Sequence, residues 1–490
     1  MRKISNYING QHFSRPVAAT SPVYDPNTGR VQAELELGDR AILAEAVAIA
    51  KSAQPAWAAL TPQQRSQVMF RFKALIEEHK QELAGLMSSE HGKLLDDSLG
   101  ELQRGLDVVD FVCGVPHLQK GEYTRGAGPG TNVYSIREPL GVVAGITPYN
   151  FPAMIPLWML APAIAVGNAF ILKPPTRTPS VSVRLAELAT EAGLPAGILN
   201  VVHGGKEVGE AITDHPDIKA VSFVGSTPVA KSVYARGAAN GQRVQCMGGA
   251  KNHGVVLPDA DLDQVVADAL AGAFGSAGQR CMAMPVIVAV GQKTAEALRE
   301  RLQREISKLR IGIASEPEAQ MGPVVTAEHK RKVESYIQMA ADEGAEVVID
   351  GRGRSLPGHE DGFFLWPTLI DHATSSMKSY QEEIFGPVLQ IVRAETFEEA
   401  LSYPSDHHQG NAVSIFTRNG YAADRFVEKV AVGMVGVNVP MPVPVSYHSF
   451  GGWKDSAFGD LNQYGEDSIR FFTRTKLVTQ RWPPEGPALD

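Results

Sequence analysis

From Gly141 to Gly225 the chain alternates short β-branched runs with stretches of helical spacing, and this alternation constrains the fold more than any other feature. The runs are Val142 to Ile146, Phe170 to Leu172, Ile198 to Val202 and Ala220 to Val224. Leu157 to Ala165, Ser182 to Ala192 and Val208 to Ile212 lie between them. Strand and helix repeated in this order give an α/β fold, a parallel sheet covered on both faces. The carboxyl ends of such strands are the expected place for a nucleotide.

A second α/β series starts after Asn252. It predicts strands over His253 to Leu257, Pro285 to Val290, Glu346 to Ile349 and Asn411 to Phe416. Helices are predicted over Leu262 to Gly275, Thr294 to Leu309 and Glu328 to Asp342. The boundary between the series falls near Gly248 to Lys251. The tail Phe471 to Arg481 alternates in steps of two, which suggests pairing with a separate sheet or another subunit.

At 490 residues the chain exceeds one ordinary hydrophobic core, so two or three domains are expected. Its formal charge of −8 is modest, and Lys and Arg are scattered, which argues against a nucleic-acid face or a membrane-surface patch. Cys113, Cys246 and Cys281 are distant in sequence and odd in number, pointing to free thiols in a reducing cytoplasm. The N-terminus lacks a signal core, and the longest apolar stretch, Met154 to Val166, is too short to span a bilayer. The expectation is a cytoplasmic enzyme acting on small molecules.

Cys281 ends the segment Gly275-Ser276-Ala277-Gly278-Gln279-Arg280-Cys281. An isolated cysteine is usually a small buried hydrophobe. Here small residues allow close approach of substrate, and Arg280 would favour a thiolate, so a nucleophile is the stronger reading. Asn150 stands in Thr147-Pro148-Tyr149-Asn150-Phe151-Pro152, after a predicted strand, where an amide donor could face the oxygen of a tetrahedral adduct. In isolation it would read as a turn or cap residue.

Lys173 ends a strand and could reach a dinucleotide ribose or phosphate. Gly225 and Ser226 lie between a strand and a helix opening with Pro228, a geometry that offers backbone amides to a pyrophosphate. Glu382-Glu383-Ile384-Phe385-Gly386-Pro387 supplies a carboxylate for ribose hydroxyls and an aromatic ring to flank a flat group. Neither HExxH nor CxxC spacing occurs among 13 His and three Cys, so no metal is expected.

Taken in order, these segments resemble the aldehyde dehydrogenase superfamily over essentially the whole chain. Gly249-Ala250-Lys251-Asn252-His253, Gly278-Gln279-Arg280-Cys281-Met282, Gly436-Val437-Asn438-Val439-Pro440 and Ser449-Phe450-Gly451-Gly452-Trp453-Lys454 look more like its CoA-acylating methylmalonate-semialdehyde dehydrogenase branch. The resemblance implies a Rossmann-like dinucleotide domain over 1–120 and 141–248 and an α/β catalytic domain over 249–467. It also implies a small oligomerisation sheet from 121–140 and 468–490, in a homodimer or homotetramer.

The same resemblance makes Cys281 the nucleophile and Asn150, with the Cys281 backbone N–H, the oxyanion hole. Thr147, Phe151, Lys173, Thr176, Gly225, Ser226, Glu383 and Phe385 become cofactor contacts, and Arg104 and Arg280 hold a substrate carboxylate. Hydrolytic relatives carry a glutamate in the segment where this chain reads Cys246-Met247-Gly248-Gly249, and Cys246 is expected to fill that slot. A neutral thiol is a poor base at pH 7, so CoA rather than water should remove the acyl group. Thr176 stands where relatives that use NAD usually carry a glutamate, so NADP is expected as well as NAD. The implied reaction is oxidation of methylmalonate or malonate semialdehyde to propionyl-CoA or acetyl-CoA. A hydrolytic dehydrogenase releasing free acid is the rival.

Overall fold

The computed structural model describes residues 2–483; residues 484–490 of the expected tail lie outside the described residues. Two large sheets dominate. The first has eight strands in the order Ala457–Phe458, Arg243–Met247, Ile218–Val224, Val142–Ile146, Ala169–Lys173, Leu199–Val201, Tyr7–Ile8 and Gln11–His12. Its five central strands are mutually parallel. Val142–Ile146 leads outward on one side to Ala169–Lys173 and on the other to Ile218–Val224, which creates a topological switch point between neighbours.

The alternation read from the sequence is present, with shifted ends. The helix expected from Leu157 begins at Met154, because Pro156 falls in the first turn, where backbone N–H groups have no intrahelical partner to lose. Val208 to Ile212 lies inside the helix Lys206–Asp214. The helix Leu95–Cys113 packs its buried face, including Leu102, Leu106 and Val109, against Met154–Ala165. That packing places Glu101 behind the loop that follows Val142–Ile146.

The second sheet has seven strands: Glu346–Ile349, Thr368–Asp371, Val388–Ala394, Val286–Val290, His253–Val256, Ala412–Phe416 and Met434–Val437. All but the first are parallel to their neighbours. These strands carry near-continuous Val and Ile runs because helices cover both faces. Ala457–Phe458 leaves this half of the chain and pairs antiparallel with Arg243–Met247 on the edge of the first sheet.

A third, smaller sheet joins the hairpin Tyr123–Gly128 and Thr131–Pro139 to the tail strand Thr473–Arg481. Tyr123, Ile136 and Leu477 are exposed on it, so it buries little of its own apolar surface. Among the described residues no helix is long and apolar enough to cross a membrane.

Candidate active site

A cavity of about 570 Å³ opens where the carboxyl ends of the first sheet meet the amino ends of the second. Each central strand of the first sheet sends its following residues into the wall. Thr147, Asn150 and Phe151 follow Val142–Ile146, and Lys173 and Thr176 close Ala169–Lys173. Gly204 follows Leu199–Val201, Gly225 and Ser226 follow Ile218–Val224, and Gly248 and Gly249 follow Arg243–Met247. From the second sheet come Cys281, ahead of Val286–Val290, and Glu383 and Phe385, ahead of Val388–Ala394.

This wall fits a dinucleotide. The Thr147 hydroxyl is buried in it without a partner. Ser226 caps the helix Thr227–Ala239 without a side-chain hydrogen bond, leaving first-turn amides for an anion. The Lys173 ammonium donates to the carbonyls of Pro174 (3.1 Å) and Gly204 (2.9 Å), and burial pulls it down to about 8. A Cβ on Gly249 would lie 2.5 Å from Glu383 Oε2, so glycine permits the approach of that carboxylate.

The loop that carries Cys281 is tightly specified. After the helix Leu262–Phe274, Ser276 and Ala277 adopt φ of 50° and 52° in a single turn, a costly conformation for residues with a side chain. A Cβ on Gly278 would collide with the Gly386 carbonyl, so this glycine lets the Cys281 and Glu383 loops touch. The Cys281 carbonyl accepts from Asn252 Nδ2 at 2.9 Å and Asn411 Nδ2 at 3.2 Å. Asn150 Nδ2 donates to the Gln279 carbonyl at 3.0 Å, two residues before the sulfur.

Burial, followed by the charge of Glu383, pushes the Cys281 thiol up to about 12. The amides of Cys281 and Met282 and the charge of Arg280 oppose this and do not prevail. The help expected from Arg280 is therefore present and small. Its guanidinium is engaged by Asp97 at 2.6 Å, and Asp97 also accepts from the Ser276 amide and hydroxyl. Burial likewise raises Glu383 to about 7, against the Ala250 N–H at 3.1 Å and the charges of Lys251 and Lys332.

Arg104 and Arg280 lie outside this cavity. Arg104 is exposed on the helix Leu95–Cys113. Burial raises the phenol of Tyr464, the charge of Arg104 opposes it without prevailing, and the Cys281 sulfur adds to the rise. Tyr464 thus lies within electrostatic reach of both residues, with its ring 4.6 Å from that of Trp158. Neither Tyr464 nor the cavity residues Arg177, His329 and Lys332 were singled out by the sequence. His329 is marked only by the fold: its ring pairs with the Phe385 carbonyl at 2.7 Å, where Phe385 holds a φ of 58°.

Cys246, read from the sequence as filling the glutamate slot of hydrolytic relatives, does not reach the cavity wall. It is fully buried within Arg243–Met247, in register between Phe223 and Phe458, because the backbone leaves the sheet only at Gly248. Gly248 and Gly249 are what this segment presents to the cavity, so the wall still carries no acid there. Two carboxylates line the cavity elsewhere, Glu383 and the exposed Glu328, and neither hydrogen bonds to Cys281. Among the described residues Glu346, Asp371 and His372 gather closely enough to suggest metal ligands, but Arg299 and Arg393 already pair with their carboxylates.

Cys281 thus faces a strand-end cavity across two α/β sheets. Residues 14–478 match the model of the aldehyde dehydrogenase family, and the chain belongs to that family. A malonate-semialdehyde dehydrogenase of Pseudomonas aeruginosa is 50% identical over 483 residues, covering 99% of this chain and 97% of that protein. The acylating mitochondrial methylmalonate-semialdehyde dehydrogenase of Arabidopsis thaliana is 45% identical over 480 residues, or 98% of this chain and 79% of that one. A crystal structure from Sinorhizobium meliloti 1021, assigned as a methylmalonate-semialdehyde dehydrogenase and complexed with NAD, superposes with a TM-score of 0.98. It is 54% identical and covers 99% of both chains.

Proposed function

We propose that this protein is an NAD-dependent, CoA-acylating dehydrogenase of malonate or methylmalonate semialdehyde. The observation that carries the reading is Cys281, in one cavity with the strand-end residues Thr147, Lys173, Gly225 and Ser226, where among the described residues no carboxylate is hydrogen bonded to its sulfur. The names of the relatives support the substrate class and the acyl acceptor. NAD in a closely similar structure supports the cofactor.

In the proposed mechanism the Cys281 thiolate adds to the aldehyde carbon. Asn150 Nδ2 leaves the Gln279 carbonyl and, with the Cys281 N–H, donates to the new oxyanion; such a donor is worth about 3 kcal/mol. The bound dinucleotide supplies one function, acceptance of the hydride, which leaves a thioester on Cys281. Glu383 and Phe385 would hold the nicotinamide end of the cofactor, while Lys173 and Ser226 would hold its adenosine and pyrophosphate. Arg280, with Arg104, holds the substrate carboxylate.

Loss of the β-carboxyl as carbon dioxide is assisted by the thioester carbonyl, which accepts the electron pair as an enolate, and a proton from solvent then adds at the α carbon to leave the acetyl or propionyl thioester. The CoA thiol then attacks the thioester, its proton is released, and Cys281 departs as the thiolate. Neither a carboxylate near the sulfur nor a strong base is needed for that exchange. The small sheet of 123–139 and 473–481 would be covered in a homo-oligomer, since its exposed apolar residues and free edges call for a partner.

NADH formation from both semialdehydes, followed with and without CoA, tests the reading. A single burst without CoA, and sustained turnover to acetyl-CoA or propionyl-CoA with it, is expected. Steady release of free acid without CoA would instead establish the hydrolytic reading.

A further inference from the structure

Behind Asn150 lies an ion pair that no step above uses. Lys93 follows the helix Lys80–His91, and Glu101 lies in the second turn of Leu95–Cys113. Both side chains are fully out of solvent. Lys93 Nζ donates to Glu101 Oε2 at 2.5 Å and to the Asn150 carbonyl at 2.6 Å, and it sits 4.8 Å from the centre of the Phe151 ring. Glu101 Oε1 accepts from the amides of Ala153 at 2.8 Å and Met154 at 3.0 Å. The pair therefore grips the loop 150–154 at both ends, by a carbonyl at the front and two amides at the back.

Given Asn150 as the oxyanion donor, we propose that Lys93 and Glu101 are positioning residues, which fix its amide against the nucleophile loop. A buried ion pair adds little net stability, since desolvating two charges offsets their attraction, so the need to fold does not account for it. Among the described residues the backbone of Asn150, which lies in a bend, makes no hydrogen bond to another backbone group, so Lys93 is its anchor. Displacing a reacting group by about 1 Å can cost about a hundredfold in rate.

The test is a double-mutant cycle on the full enzyme, reading the rate of the NADH burst. Glu101→Gln is expected to slow the burst about 10- to 100-fold in the native background, with the affinity for NAD unchanged. In an Asn150→Ala background the same change should cost almost nothing further, because no donor remains to be misplaced. The paired replacement Lys93→Met with Glu101→Leu removes both charges together; with the Ala153 and Met154 amides left unpaired it should melt below the native enzyme, and it should keep the rate loss.

A full, additive loss from Glu101→Gln in the Asn150→Ala background would overturn the positioning role. So would native burst rates in Glu101→Gln or in the paired variant, and either variant suffices if the other does not fold. If Asn150→Ala itself left the burst intact, the oxyanion assignment would fail separately from the role of the pair.

Discussion

The two large sheets meet at the same cavity with opposite ends. The first presents carboxyl ends, and its contribution is the strand-ending Lys173 with backbone and short side chains directly after strands: Thr147, Gly225, Ser226. The second presents amino ends, and its contribution comes from longer loops under strain, with Ser276, Ala277 and Phe385 at positive φ. A parallel strand naturally leaves room for a ligand beyond its carboxyl end, so the first wall needs little special construction. The second wall must build its chemistry from networks such as Asn252 and Asn411 on the Cys281 carbonyl. In the proposed reading the first wall would chiefly bind and the second would carry the nucleophile, with Asn150 of the first wall and Glu383 and Phe385 of the second crossing that division.

The sharpest way to break this division is Cys281→Ala. NADH formation should fall at least about 10⁴-fold while NAD affinity stays within a factor of about two. Measurable acyl-enzyme in that variant would remove Cys281 from the chemistry, and a lost NAD affinity would mean that the two walls are not separable.

Next in size is the response of the sulfur to pH. With the thiol held up to about 12, only the rare thiolate reacts, and its fraction rises as pH rises toward that value. Alkylation of the cofactor-free enzyme by iodoacetamide should therefore accelerate about tenfold per pH unit, or about a thousandfold from pH 7 to 10. A plateau near pH 8 would show that the loop, rather than a bound cofactor, already activates the sulfur.

Arg280→Ala probes specificity on the second wall. It should lower kcat/KM for semialdehydes bearing a carboxylate about 10- to 100-fold, and for propionaldehyde hardly at all. Equal losses on both would mean that Arg280 serves only to brace the loop through Asp97. The smallest effect is expected at Thr176 on the first wall. Thr176→Glu should reduce kcat/KM with NADP about tenfold, by repulsion of the 2′-phosphate, and leave NAD within about threefold. A native enzyme already several hundredfold selective for NAD would contradict the reading of Thr176.

What the sequence disclosed follows the same division. Asn150, Lys173, Gly225 and Ser226 were legible because each follows a β-branched run, and strand ends are where a doubly wound sheet binds ligands. Cys281, Glu383 and Phe385 became legible through motif order, since no periodicity marks the amino ends of strands. The burial of Cys246 was not legible, because counting along a motif does not reveal where the backbone leaves the sheet; that happens at Gly248. Lys93, Glu101 and Tyr464 were not legible at all. They reach the site through tertiary packing of Leu95–Cys113 on Met154–Ala165 and through the aromatic contact of Tyr464 with Trp158, neither of which leaves a local signature.

The small sheet has a consequence for biosynthesis. Lys476 pairs with Glu138 across a separation of 338 residues, so the hairpin is translated long before the strand that completes it. Throughout that interval Thr131–Pro139 carries an open flank able to recruit any extended chain nearby. Cellular yield should then depend on how well chaperones shield the nascent hairpin, and a chain cut short before Thr473 would be a template for aggregation.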